Sequence, residues 1–284
     1  MDCVVHKWNV DVDDATNATK KGIIVIYHGF LAHGRYPTVR YAAEFLAEAN
    51  YAVIAVDLPG HGQSPGLRGY LPSADTVIED GKVICQQARS IVGAGKPDES
   101  NNLKLFLVGS SMGGAIALSV AQTLGTDVVS GVILLAPMLK LDVSGIEHGL
   151  LTTAAWIVPT VELIPSSATS ADKQYRDEAK REECENDALT VSGSKLRVGS
   201  ALSCVDITLK IRERFDTIQV PFLVLVADED VVVKNEGSED LMAKSPSSDK
   251  TMKRYPALHG LLCEPSPLFD EIKTDILTWL EQRV

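Results

Sequence analysis

Gly109-Ser110-Ser111-Met112-Gly113 lies where a strand pattern meets a helix pattern, and that junction constrains the fold more tightly than any other feature of the chain. Leu103-Lys104-Leu105-Phe106-Leu107-Val108 before it reads as a buried strand, and residues 114–121 (GAIALSVA) after it read as a closely packed helix. Gly-x-Ser-x-Gly in that setting is a nucleophile elbow, a sharp strand-to-helix turn that exposes the serine hydroxyl above a sheet. Its small residues are needed because the two backbones approach too closely for side chains. Ser111 is therefore the candidate nucleophile.

The elbow implies a parallel sheet, and the rest of the chain agrees with one. Short β-branched runs at 22–27, 51–57, 103–108, 129–135 and 221–226, with a weaker one at 251–255, read as strands. Near-continuous apolar runs of this kind suit strands buried on both faces. Helical patterns fall between them at about 38–49, 74–92, 112–124 and 238–244, and another closes the chain at 269–281. A crossover needs only a dozen or so residues, whereas the stretch 138–216 shows no strand-like run and reads as an insertion. The expected organisation is a core of residues 1–137 and 217–284 with a cap of residues 138–216. The cap's first half, 149–159, is apolar; its second half, 172–187, is densely charged and expected as a solvated helix. The apolar half either packs on the core or covers the active site. In the second case Leu151, Trp156 and Ile157 are the candidates to line a pocket for an acyl chain.

A serine hydroxyl is a weak nucleophile at neutral pH and needs a neighbouring base. With an elbow of this kind the triad runs Ser, then Asp or Glu, then His along the chain. Of the six histidines only His148 and His259 follow Ser111, and His148 lies in the insertion. His259 follows the last strand pattern, where a loop brings it over the elbow, so it is the candidate base. The acid belongs after the preceding strand, where Asp228, Glu229 and Asp230 stand together; chemistry alone leaves all three open. The oxyanion of a tetrahedral intermediate needs two N–H donors. Candidates are the amide of Met112, after the nucleophile, and that of Phe30, after Gly29 in the loop of the first strong strand. His28 reads as a brace for that loop, and His33 and His61 as structural.

Composition narrows the function further. With 27 Lys and Arg against 38 Asp and Glu, the chain carries a formal net charge of −11. That opposes nucleic-acid binding, which runs on cations neutralising phosphates, and disfavours electrostatic attachment to anionic lipid, though not apolar contact with a membrane. The five cysteines show no C-x-x-C spacing and read as reduced thiols, with no zinc site. Neither phosphate-binding glycine motif occurs, so no cofactor is called for. The first residues lack a signal-peptide pattern and no run is long enough to span a bilayer; the expected location is the cytoplasm.

Together these segments resemble the monoacylglycerol lipase family of α/β-hydrolases, particularly its plant and algal-type members. The resemblance rests on His28-Gly29-Phe30, His33-Gly34-Arg35-Tyr36, Asp57-Leu58-Pro59-Gly60-His61-Gly62-Gln63-Ser64, Gly66-Leu67-Arg68-Gly69, Gly109 to Gly114, the stretch 221–230 and the stretch 248–259. It implies an α/β-hydrolase fold with a mostly parallel eight-stranded sheet and a helical cap inserted after the sixth strand. It also implies a Ser111–Asp230–His259 triad, with Phe30 and Met112 as oxyanion donors. Asp230 takes the acid's place in the family's usual His-Gly-x-x-Asp, although Val226-Ala227 stand here in place of His-Gly and Asp228 competes nearby. Ser110 is a second departure, since the family often carries His or Glu there.

The implied activity is hydrolysis of a monoacylglycerol or similar lysolipid, which makes a lipid ester the expected partner and adds transient membrane contact through the cap. The oligomeric state is left open. Competing readings are a hydroxycinnamoyl (caffeoyl shikimate-type) esterase, a lysophospholipase and, from a different class, a non-catalytic ligand receptor on the same fold.

Overall fold

Two of the runs expected as strands, β2 (Ile23–Tyr27) and β3 (Ala52–Val56), pair in parallel, with β2 also pairing to β4 (Leu105–Ser110). From β4 the parallel pairing continues through β5 (Gly131–Leu135) and β8 (Phe222–Ala227) to β9 (Lys250–Tyr255). The computed structural model describes residues 2–10, 20–93, 102–165, 170–191, 193 and 195–284. Among these, with β1 at Val5–Trp8, the sheet has seven strands in the order β1-β3-β2-β4-β5-β8-β9, where eight were expected. Its edge strand β1 (Val5–Trp8) runs antiparallel to β3 and escapes sequence reading because Val5-His6-Lys7-Trp8 is a half-buried edge with no apolar run.

Alternation along the strands divides the core into two layers. Ile23, Val25 and Tyr27 of β2 face a layer that includes the helices Ala74–Val92 and Met112–Leu124. Ile24 and Ile26 face the other, built on the helices Pro37–Glu48 and Leu268–Glu281, where Trp279 meets Phe106 edge-on. The helix Glu236–Lys244 follows β8. No helix of the described residues is long and apolar enough to cross a membrane.

Among the described residues the insertion follows the fifth strand, where the sixth was expected. It contains a strand pair where none was expected, β6 (Glu162–Pro165) with β7 (Lys195–Arg197), both too short to stand out by periodicity. Residues 166–169, 192 and 194 of the expected cap lie outside the described residues. The helix Val198–Arg212, inside the span expected as cap, buries Ile207 and Ile211 in the first core layer and also packs on the cap segment 145–157. The apolar half forms the helix Gly145–Ile157, opened by a capping box between Ser144 and Glu147.

The charged half is not one solvated helix. It breaks into Ala171–Gln174 and Glu178–Glu185, and Tyr175 and Cys184 are buried against Tyr36 and Cys263 of the core. Acidic and basic neighbours hide those two residues from a hydropathy reading.

Candidate active site

Ser111 stands between β4 and the helix Met112–Leu124 with φ of 54° and ψ of −121°, a backbone region that side-chain-bearing residues rarely occupy. The chain holds it there by close approach. A Cβ on Gly113 would lie 2.0 Å from the Tyr27 carbonyl oxygen, and one on Gly109 would lie 2.2 Å from the Gly113 carbonyl oxygen. Backbone atoms cannot swing aside, so both positions need glycine. The Ser111 amide and carbonyl are anchored as well, the first donating to Leu135 O at 3.0 Å and the second accepting from Met138 N at 2.9 Å.

His259 lies on the loop after β9, and its Nδ1–H donates to Asp230 Oδ2 at 2.7 Å. That bond leaves Nε2 as the free acceptor of the ring, the form a general base requires. Asp230 is itself fixed, since its Oδ1 accepts the backbone N–H groups of Val232 and Val233 at 2.8 and 3.0 Å. Its side chain is 0% exposed and that of His259 is 5% exposed, which strengthens the pairing by excluding water. The neighbouring carboxylates turn elsewhere: Asp228 accepts Arg254 Nε at 2.8 Å and Glu229 accepts Arg176 Nη2 at 2.8 Å.

Ser111 and His259 border the same cavity of about 300 Å³, together with Phe30, Tyr36, Gln174, Tyr175 and Val191. No hydrogen bond joins His259 to Ser111 in this structure; catalytic hydrogen bonds are commonly long without substrate and shorten when it binds.

The Phe30 residue borders this cavity, and Met112 begins the elbow helix, where the first N–H groups have no partner inside the helix. His28 orients the Phe30 amide. Its Nδ1–H donates to the Gly29 carbonyl at 2.8 Å, and its Nε2 accepts Leu58 N–H at 3.1 Å. Because a trans peptide points its C=O and N–H in opposite directions, holding the Gly29 oxygen turns the Phe30 N–H the other way. Burial depresses the His28 pKa to about 3, so the ring stays neutral and keeps both bonds.

His33 ties core to cap through Asp187 Oδ1 at 2.9 Å, and Asp187 in turn accepts Leu189 N–H at 2.8 Å. His61 is buried beside His28 and Phe30, with Nδ1–H donating to the Pro59 carbonyl at 3.0 Å.

The expected acyl-pocket residues lie elsewhere. Trp156 is 87% exposed, Ile157 is exposed and Leu151 is half-buried, and none of the three borders the cavity. The helix that carries them is apolar on more than one face. Leu151, Ala154, Ala155 and Val158 form its half-buried stripe, while Ile146, Leu150 and Ile157 follow one another on the outer face. Apolar composition therefore marks the segment without telling which stripe turns inward. Of the cap residues that do reach the cavity, Gln174, Tyr175, Cys184 and Glu185 come from the charged half, and Thr190, Val191 and Gly193 follow just after it.

Comparison with known proteins bears on the family and the fold. The family Hydrolase_4, described as serine aminopeptidase, S33, matches residues 18–266. The monoglyceride lipase of Rattus norvegicus is 27% identical over 94% of this chain and 85% of its own length. The monoacylglycerol lipase of Mycolicibacterium smegmatis is also 27% identical, over 98% of this chain and 92% of its own length. Among solved structures, the monoacylglycerol lipase of Paleococcus ferrophilus superposes with a TM-score of 0.80 at 24% identity, covering 100% of both chains, a likeness that speaks to the fold.

Proposed function

The chain belongs to the Hydrolase_4 family, serine aminopeptidase S33 by description, and from that membership we propose that it is a serine ester hydrolase cleaving monoacylglycerol, or a similar lysolipid, to fatty acid and glycerol. The observation that carries the reading is the buried 2.7 Å Asp230–His259 pair facing the cavity that the strained Ser111 borders. Relatives named as monoglyceride and monoacylglycerol lipases supply the substrate class.

In the reaction, His259 Nε2 takes the Ser111 hydroxyl proton as Oγ attacks the ester carbonyl. The Phe30 and Met112 amides receive the charge that develops on the carbonyl oxygen. Asp230 keeps the imidazole in the required tautomer and stabilises the imidazolium. Collapse of the intermediate breaks the ester C–O bond, and His259 passes its proton to the departing glycerol oxygen. A water deprotonated by the same ring then attacks the acyl-enzyme, releasing the fatty acid and returning the proton to Ser111.

The outer face of the helix Gly145–Ile157 extends the reading to the substrate's source. Ile146, Leu150, Trp156 and Ile157 on that helix, with Val161 and Leu163 just beyond it, are all exposed large apolar side chains. Concentrated on one part of the cap, they suit contact with a lipid surface.

A second reading has its own observation. Tyr36 and Tyr175 meet hydroxyl to hydroxyl at 2.8 Å on the cavity wall, an aromatic and polar lining that also suits a hydroxycinnamoyl ester. Hydrolysis of a monoacylglycerol and of a hydroxycinnamoyl ester, measured side by side on the purified protein, separates the two. The proposed function requires the higher kcat/KM on the monoacylglycerol, and the reverse order replaces it with the second reading.

A further inference from the structure

Arg176 sits in the break between the two charged cap helices, and its guanidinium reaches both loops that carry the acid and the base. Nη2 donates to Glu229 Oε1 at 2.8 Å, one residue before Asp230, and to the Pro256 carbonyl at 3.4 Å, on the His259 loop. Nε donates to Glu264 Oε2 at 2.9 Å. Glu264 is 1% exposed, and its other oxygen accepts the N–H of Leu258, the residue before His259, at 2.7 Å. The chain around Arg176 adds to the grip. The Gln174 carbonyl accepts Gly260 N–H at 2.8 Å, and Lys180 Nζ donates to the Glu264 carbonyl at 2.8 Å.

We propose that Arg176 is a positioning residue of the hydrolase, a cap-borne guanidinium that holds the Asp230 and His259 loops in register. A planar guanidinium can bond two carboxylates in a fixed geometry, which a lysine ammonium cannot. A buried carboxylate such as Glu264 is costly unless it is paired, so the cap segment and the His259 loop stabilise each other. Arg176 does not border the cavity, and its effect therefore falls on catalysis rather than on substrate affinity. The same contacts make cap position felt at the base: if the cap segment lifts away, the loops lose their common partner.

This inference rests on the Ser111–His259–Asp230 reading above, and its test uses a short activated ester, p-nitrophenyl butyrate, so that it does not depend on the lipid. Arg176→Ala is expected to lower kcat by about tenfold to a hundredfold, the cost of a misplacement near 1 Å, with KM within about twofold. Arg176→Lys, which reaches only one of the two carboxylates, is expected to fall between wild type and Arg176→Ala, and it stands in if Arg176→Ala is too unstable to purify. In the double variant Arg176→Ala/Glu264→Gln no buried charge is left unpaired, so thermal stability returns towards wild type while kcat stays low. Recovery of kcat along with stability overturns the proposal, because Arg176 is then only a counter-charge. So does an Arg176→Ala kcat within about twofold of wild type. Ser111→Ala run in parallel distinguishes the two levels: if it still hydrolyses the ester, the triad reading itself has failed and takes this inference with it.

Discussion

Asp230 Oδ2 lies 2.7 Å from His259 Nδ1, whereas Asp228, two positions earlier on the same loop, pairs with Arg254 of β9. The two carboxylates therefore differ in what their removal does. Asp230→Asn is expected to lower kcat by about 10⁴-fold, since an amide at this position favours the wrong imidazole tautomer. Asp228→Asn is expected to leave kcat within about twofold, because an exposed ion pair contributes little. Steady-state kinetics on a soluble ester checks both; equal losses would move the acid's role off Asp230 alone.

Two buried histidines make stability depend on pH. Burial lowers the pKa of His28 from 6.5 to about 3 and that of His61 from 6.5 to about 4, where Arg68 and His33 add to the depression and Asp57 opposes it. Both rings stay neutral in the folded chain, while the unfolded chain takes up protons below its ordinary value of 6.5. The unfolded state thus binds more protons, and stability falls as pH falls. The contribution is complete above 6.5 and drains away towards about 4 for His61 and about 3 for His28. At about 1.4 kcal/mol per pKa unit the sum is on the order of several kcal/mol. Thermal melts in steps from neutral pH to about pH 4 should show a falling Tm, and His61→Asn should flatten that fall. A melting temperature flat across this window contradicts the assignment.

The exposed apolar face of the cap separates chemistry from access to lipid. Trp156→Ser is expected to leave hydrolysis of a soluble ester within about twofold, because Trp156 does not border the cavity. Turnover of a monoacylglycerol carried in neutral phosphatidylcholine vesicles is expected to fall by about threefold or more, together with vesicle co-sedimentation. Equal losses on both substrates would place Trp156 in the catalytic path instead.

The elbow and the base were readable because each is a local matter. Gly-x-Ser-x-Gly between apolar runs specifies a turn, and His259 is the histidine that follows the last strand. Choosing among Asp228, Glu229 and Asp230 is not local. It is decided by Arg254 and Arg176, which lie 26 and 53 positions away from the carboxylates they bind. The cap was harder still. The helix Gly145–Ile157 announces itself, but apolar residues on two of its faces leave its orientation to its neighbours, and Trp156 turns out to solvent. Tyr175 and Arg176 were hidden for the opposite reason. They sit among acidic and basic residues, and only the fold shows that this charged stretch covers the cavity and grips the His259 loop.

The central claim is best tested by fatty-acid release from 2-oleoylglycerol, with wild type and Ser111→Ala assayed at equal concentration. The account predicts steady release by wild type and a loss approaching about 10⁶-fold in Ser111→Ala, as when a triad nucleophile is removed. Release that persists within about a hundredfold in Ser111→Ala contradicts the catalytic assignment. No release by wild type, with Ser111-dependent cleavage of a short activated ester intact, contradicts the lipid substrate and leaves the serine hydrolase standing.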